Sequence, residues 1–110
     1  MKRDEDSGGM WGLVVFDLPV KTKRQRHAAT VFRNMLLDMG YGMVQYSVYV
    51  RYTPTQSGNR ATVKMIKDNL PANGLVRILH ISDHQWSTAA RFSSGKREIE
   101  EETPDFLTLF

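Results

Sequence analysis

Asp17 is the residue whose type and position best suit metal or phosphate chemistry in this chain. It ends an apolar run, Trp-Gly-Leu-Val-Val-Phe, and is followed by Leu18 and Pro19. Such a run predicts a buried strand that stops at the carboxylate, since proline ends regular pairing. Five basic residues and no acid follow within residues 21–33, so Asp17 faces a cationic helix start, a pairing that suggests phosphates.

Two interpretations of Asp17 stay open at the level of the sequence. Mg²⁺ prefers oxygen ligands and commonly takes one or two protein carboxylates, with water and phosphate completing its shell. In a twofold dimer, two copies of Asp17 could meet at the axis and supply both carboxylates. A metal-activated water could then cleave a phosphodiester. Alternatively, Asp17 only ends the strand and accepts backbone hydrogen bonds at the turn.

The remaining acids and histidines do not extend this site. The acids fall at the far ends of their predicted elements, and the histidines lack the spacing of metal ligands. Surface or core roles are therefore the expectation for Asp38, Asp68, Asp83, His27, His80 and His84.

Basic residues form the second candidate surface. Three of them crowd the first turns of a predicted helix, where the macrodipole disfavours cations by a few tenths of a kcal/mol each, which favours an anionic partner. Three others have i, i+4, i+7 spacing on a second predicted helix. Such stripes are usually solvated faces, but two on one basic body favour a nucleic-acid backbone track. The candidate nucleic-acid-binding residues are Lys21, Lys23, Arg24, Arg26, Arg33, Arg51, Arg60, Lys64 and Lys67.

Length and charge limit the classes of protein. A chain of 110 residues is enough for one core and too short for two. Residues 10–97 contain 13 Lys and Arg against four Asp, a formal charge of +9, although the whole chain carries +3. The body is expected to attract polyanions.

The chain has no cysteine, which excludes disulfides and fits a cytoplasmic protein. No apolar run predicts a membrane span or a signal peptide.

Hydrophobic spacing predicts the element order β-α-β-β-α-β. Thr22 and Gln25 have the form of a capping box, and Gly40 is a natural helix end. Residues 42–52 alternate as one strand, or as two with a tight turn or bulge, which places Ser47 and Tyr49 on a polar face. There they could position a phosphate or simply pack across the strands. The predicted elements are a strand over 10–18, a helix over 23–39, strand over 42–52, a loop over 54–59, a helix ending near Leu70 and a strand over 75–81.

This order is typical of the ferredoxin-like α+β arrangement, with two helices on one face of an antiparallel sheet. An extra C-terminal strand over residues 85–92 is also predicted. The organisation is then a flexible extension over 1–9, a domain over 10–92 and a tail over 93–110. The tail mixes acids with apolar residues, so it either docks on a partner chain or frays.

Five motifs follow one another in a characteristic order and spacing. They are Phe16-Asp17-Leu18-Pro19, the Gln-Tyr-Ser-Val-Tyr-Val-Arg strand over 45–51, Leu70-Pro71, Val76-Arg77-Ile78-Leu79 and Ile81-Ser82-Asp83-His84-Gln85-Trp86. Together they resemble the small CRISPR-associated adaptation proteins, the CRISPR-associated protein two family, in the variety that accompanies single-protein RNA-guided effectors. The resemblance covers about residues 10–92 and rests on the motifs together.

The resemblance implies a ferredoxin-fold homodimer that bridges two dimers of the CRISPR integrase and holds the double-stranded DNA protospacer while spacers are inserted. It also implies a second role, because such proteins act as metal-dependent nucleases on RNA or DNA. In that role the aspartate ending the first strand, here Asp17, is the Mg²⁺ ligand. We therefore expect an adaptation scaffold, with a magnesium-dependent endonuclease as the alternative.

Two other classes share this element order. An RNA-recognition module stacks bases on aromatic residues, which the segment Val-Arg-Ile-Leu-His-Ile over residues 76–81 lacks, so this class is set aside. A ferredoxin-fold toxin that cleaves RNA stays open, because the fold does not determine the function. Such a toxin would act alone, whereas a scaffold would be inert without its integrase.

Overall fold

The computed structural model describes residues 9–54 and 57–94. Their element order confirms the predicted β-α-β-β-α-β pattern. Most of the predicted extension over 1–9 and most of the tail over 93–110 lie outside the described residues. The elements are β1 (Met10–Asp17), α1 (Lys23–Asp38), β2 (Gly42–Gln45), β3 (Val48–Thr53), α2 (Ser57–Asp68), β4 (Leu75–Ser82) and α3 (Asp83–Ser87).

The strands form one antiparallel sheet in the order β2-β3-β1-β4. This is the ferredoxin-like arrangement, in which the first strand lies in the centre. β1 pairs with β3 on one side and with β4 along its whole length on the other. Its position in the middle of the sheet explains the nearly continuous apolar run in its sequence.

Alternate residues of β1 point to opposite faces of the sheet. Val14 and Phe16 face α1 and are buried there with Phe32 and Leu36. The rings of Phe16 and Phe32 meet edge to face at 5.3 Å between centroids. The core therefore lies between the sheet and the helices, and Phe16 holds the end of β1 against α1.

The start of α1 follows the predicted capping box. The Thr22 hydroxyl accepts the backbone N–H of Gln25, and the Gln25 side chain accepts the backbone N–H of Thr22. Gly40, with φ of 95°, turns the chain after the helix. Only four residues separate β1 from this cap, so the helix start lies close to the end of β1.

Residues 42–53 form a hairpin of two strands, and the predicted polar face of this segment is wrong. Tyr46 and Ser47 are the two turn residues between β2 and β3, and the register shifts between Met43 and Gln45. Tyr49 is only 3% exposed, because its ring packs on Phe16 in the core. It therefore cannot reach a phosphate at the surface.

The extra strand predicted over residues 85–92 is also wrong. Ser82 caps α3 through a second capping box with Gln85, which starts a helix where a strand was expected. Residues 88–94 contain no strand. The Trp86 ring stacks on Trp11 at 5.0 Å, and the Trp11 indole N–H donates to Asp83 at 2.8 Å. Apolar burial against β1 thus replaces strand pairing here.

α2 begins at Ser57, so the second half of the loop predicted over residues 54–59 is helical. Ile66, together with the polar residues Thr62 and Asn59, forms the buried face of this helix. No helix within residues 9–54 and 57–94 has the length and apolar character needed to cross a membrane.

Candidate functional site at the end of the central strand

Asp17 is the last residue of β1, and its side chain is exposed. It shares the parity of Trp11, Leu13 and Val15, so it lies on the face of the sheet opposite α1 and α2. We call this face the open face. Residues directly opposite in antiparallel strands point to the same side, so the open face also contains Val48, Val50, Tyr52, Leu75, Arg77, Leu79 and Ile81.

The open face is apolar apart from Asp17 and Arg77, which are both exposed. Trp11 lies under Trp86 and is buried, whereas Leu79 and Leu75 are 46% and 56% exposed. Leu75 is the β4 partner of Asp17. The carboxylate thus borders exposed apolar surface. The sequence analysis does not predict this surface, although β4 has apolar residues on both of its faces, interrupted by Arg77 and His80, as in a strand that is largely covered on both sides.

Two turns hold the chain near Asp17. The backbone N–H of Phe16 donates to the carbonyl oxygen of Ser47 at 3.0 Å, which fixes the β2–β3 turn beside the end of β1. On the other side, a Cβ added to Gly74 would lie 2.6 Å from Leu18 Cδ2. The turn before β4 therefore packs directly on the residue that follows Asp17.

Asp17 does not belong to a cluster of metal ligands within the described residues. Within residues 9–54 and 57–94, no three acidic or histidine side chains are arranged to hold a metal ion. Asp83 binds Trp11 at the other end of β1, and Asp68 pairs with Lys64 at 2.8 Å on α2. Asp17 is suited to be one Mg²⁺ ligand, since this ion commonly takes only one or two protein carboxylates.

The predicted basic residues fall into two groups. Seven are exposed, on α1, on α2 or just before α1, and no acid lies in the first turn of either helix. One of these, Arg26, also donates to the carbonyls of Val20 and Lys21 and so braces the loop from β1. The exposed group is Lys21, Lys23, Arg24, Arg26, Arg60, Lys64 and Lys67.

Arg33 and Arg51 are partly buried and have contacts within the fold. Arg51 donates to the carbonyl of Met39 at 3.1 Å and lies over the Tyr41 ring at 5.5 Å. Arg33 is close enough to Tyr49 for its charge to lower the tyrosine pKa. These two arginines support the packing of α1 on the sheet.

A sequence profile of the family described as CRISPR associated protein Cas2 matches residues 10–89, which is most of the chain. The match includes every strand of the sheet and the two helices that cover it. The chain belongs to the Cas2 family. The expected membership is thereby confirmed, together with the predicted ferredoxin-like order.

Relatives in the Cas2 family match over nearly the whole chain. A protein of Paracidovorax avenae named CRISPR-associated endoribonuclease Cas2 is 43% identical, covering 92% of this chain and 94% of its own. Proteins of the same name from Parvibaculum lavamentivorans and Flavobacterium psychrophilum are 38% and 36% identical, covering 92% and 86% of this chain and 100% and 82% of their own.

The fold also matches a solved Cas2 structure. The crystal structure of Streptococcus pyogenes Cas2 at pH 6.5 superposes with a TM-score of 0.60, covering 76% of this chain and 99% of that one. The two sequences are 15% identical over the match, so this likeness shows the fold alone.

The pKa of Tyr49 offers a test of how Arg33 is placed. Burial raises this pKa above its ordinary value of 10.0, and the positive charge of Arg33 opposes the rise. The fold thus favours neutral Tyr49, whose contribution to stability is present below pH 10.0 and is lost as the pH rises through the folded pKa. Arg33→Met should raise the Tyr49 pKa further, measured by ¹³C NMR of labelled tyrosine rings.

Arg60→Met is the matched control, since it removes the same charge from α2 and should leave the Tyr49 pKa where it is. An unchanged Tyr49 pKa in Arg33→Met would show that Arg33 points away from the core.

Proposed function

We propose that this protein is a nucleic-acid-binding subunit of CRISPR adaptation, which holds double-stranded DNA for the integrase as a homodimer. The observation that carries the proposal is the concentration of exposed basic side chains on α1, on α2 and in the loop before α1. Membership of the Cas2 family supplies the biological context. The charge supplies the physical reason, because cations placed along a surface release counterions from a phosphate backbone.

The placement of these cations favours a bound polyanion over a merely solvated surface. Lys23 and Arg24 occupy the first turn of α1, where the helix dipole repels cations. The exposed pair of Lys64 and Asp68 contributes little to stability, so a phosphate can replace the carboxylate at small cost. Contacts of this type position a duplex without reading its bases, which suits a subunit that must accept spacers of any sequence.

Salt dependence provides the test of this surface. Arg24→Gln should lower the magnitude of the slope of log Kobs against log salt by about 0.9, since each neutralised phosphate adds that amount on duplex DNA. The loss of affinity should be similar for unrelated DNA sequences. Fluorescence anisotropy of labelled duplexes at several salt concentrations measures both.

Arg91→Gln is the control for net charge, because Arg91 is exposed but lies outside both helices. If Arg91→Gln changed the slope as much as Arg24→Gln, the net charge of the protein would explain binding, and the proposed contact of the helices with the phosphates would be wrong.

The open face supports the dimer. Leu75 and Leu79 are large apolar side chains exposed on the open face, on either side of Arg77, and exposed apolar surface of this kind can form an interface. An isologous contact through this face would pair it with itself and leave the basic helices outward on both sides. Because Asp17 borders Leu75, the same symmetry would bring two Asp17 carboxylates toward one axis.

Leu79→Asp should convert the dimer to monomer, because a charge would be buried in the apolar contact. Sedimentation velocity measures the mass directly. Met65→Asp is the matched control, since Met65 is 48% exposed, nearly the same as Leu79, but lies on α2. A stable dimer in Leu79→Asp, or a monomer in Met65→Asp, would place the interface elsewhere.

A magnesium-dependent endonuclease acting on RNA or DNA is the second candidate function. The exposed position of Asp17 at the edge of the open face favours it, and the relatives carry the name endoribonuclease. When bound, Mg²⁺ would stabilise charge on a phosphodiester and lower the pKa of a coordinated water. Asp17 of each chain would hold the ion, and Lys21 and Lys23 lie near enough in sequence to bind flanking phosphates.

Asp17→Asn separates the two functions. Nuclease activity on a labelled RNA in Mg²⁺ should fall by about 100-fold or more, since even residues that only support a metal ligand contribute roughly 10- to 100-fold. Dimer mass and duplex affinity should not change. Spacer integration by the cognate integrase should survive in this variant if the protein acts there as a scaffold.

Loss of integration in Asp17→Asn, with the dimer and DNA affinity intact, would instead make metal chemistry at the dimer axis the main function. Nuclease activity that persists unchanged would remove Asp17 from any catalytic role.

A further inference from the structure

Tyr46 lies at the end of the sheet that carries Asp17, and neither the fold nor the basic surface explains why a tyrosine is found there. It is the first of two residues in the β2–β3 turn, and it is 88% exposed. Two-residue hairpin turns favour Asn and Gly, because one or both residues take positive φ, as Ser47 does here at 66°. Neither packing nor turn geometry therefore calls for a tyrosine in this place.

The turn places Tyr46 at the same edge of the sheet as Asp17. The hydrogen bond of 3.0 Å from Phe16 to Ser47 joins the two segments. Tyr46 precedes Ser47 and Asp17 follows Phe16, so each lies one residue from this bond. Lys21 and Lys23 follow shortly after Asp17 in the chain. An exposed aromatic ring, a carboxylate and cations thus share one end of the molecule.

An aromatic ring beside phosphate-binding groups suits an unpaired nucleobase. Bases stack on tyrosine through their flat faces, and every base has such a face, so this contact tolerates any sequence. A base pair within a duplex is already stacked on both sides and offers no free face to a side chain. We propose that Tyr46 stacks on an unpaired base of a bound nucleic acid next to the Asp17 edge. This inference rests on the proposed nucleic-acid function and adds to it a stacking contact from the β2–β3 turn.

The test compares two labelled DNA probes, a blunt duplex and the same duplex with a short single-stranded extension at each 3′ end. Tyr46→Ala should weaken binding of the extended duplex about tenfold and leave the blunt duplex within about twofold of wild type. Tyr46→Phe keeps the ring and should bind both probes like wild type. Val31→Ala, a truncation of an exposed apolar residue on α1, is the control and should change neither.

A second measurement reads the stack directly. With 2-aminopurine as the first unpaired base, binding of wild type and Tyr46→Phe should quench its emission, and binding of Tyr46→Ala should not. Thermal unfolding checks that the alanine variant is folded, as expected for an exposed turn residue.

The outcomes separate this inference from the proposed function. If wild type binds both probes and Tyr46→Ala binds them equally well, stacking is wrong while duplex binding stands. If Tyr46→Ala loses both probes together with its dimer mass, Tyr46 is a contact between chains and stacking is again wrong. If wild type binds neither probe, both the inference and the proposed function fail.

Discussion

The position of β1 between β3 and β4 determines how the core packs and which side chains reach each face of the sheet. Its residues pack on both faces, with Val14 and Phe16 against α1 and Trp11 against Trp86. In a strand of this type a slip of one residue exchanges the two faces, at the cost of the whole core. The register therefore determines that Asp17 points to the open face and that Phe16 points into the core. The orientation of Asp17 therefore follows from how its neighbours in β1 pack.

This requirement also separates two surfaces of different chemistry. The helices cover one face of the sheet and turn their basic residues outward, whereas the other face leaves Leu75 and Leu79 exposed. If the basic residues of the helices lay on the apolar face, pairing of two chains through that face would bury their charges, and this would carry a desolvation penalty. Under the proposed function, self-association would use the open face and the duplex backbone would contact the helices, although the open face also contains one exposed cation, Arg77.

Much of the fold could be predicted from local patterns in the sequence. The start of α1 at its capping box, the central apolar strand and the element order depend on neighbouring residues, and they appear as expected. The wrong predictions fall where tertiary contacts determine which side chains are buried. Alternation alone does not say which face of a strand is buried, so it does not predict that Tyr49 packs on Phe16 in the core. The open face of β4 was missed for the same reason. The alternation over residues 42–52 is compatible with a turn at Tyr46, but it does not predict that the tyrosine side chain is exposed.

The C-terminal error has a different cause. The segment after β4 contains enough apolar residues for a strand, yet Ser82 and Gln85 form a cap of the same type as Thr22 and Gln25, a signal that was readable in the sequence. The resulting α3 turns Trp86 onto Trp11, at the end of β1 opposite Asp17. These two ends are roughly 20 Å apart, at about 3.3 Å per residue along a strand. Substitutions at the Trp11 and Trp86 contact would therefore reach Asp17 only along β1, so the two ends of this strand can be altered separately in variants of the protein.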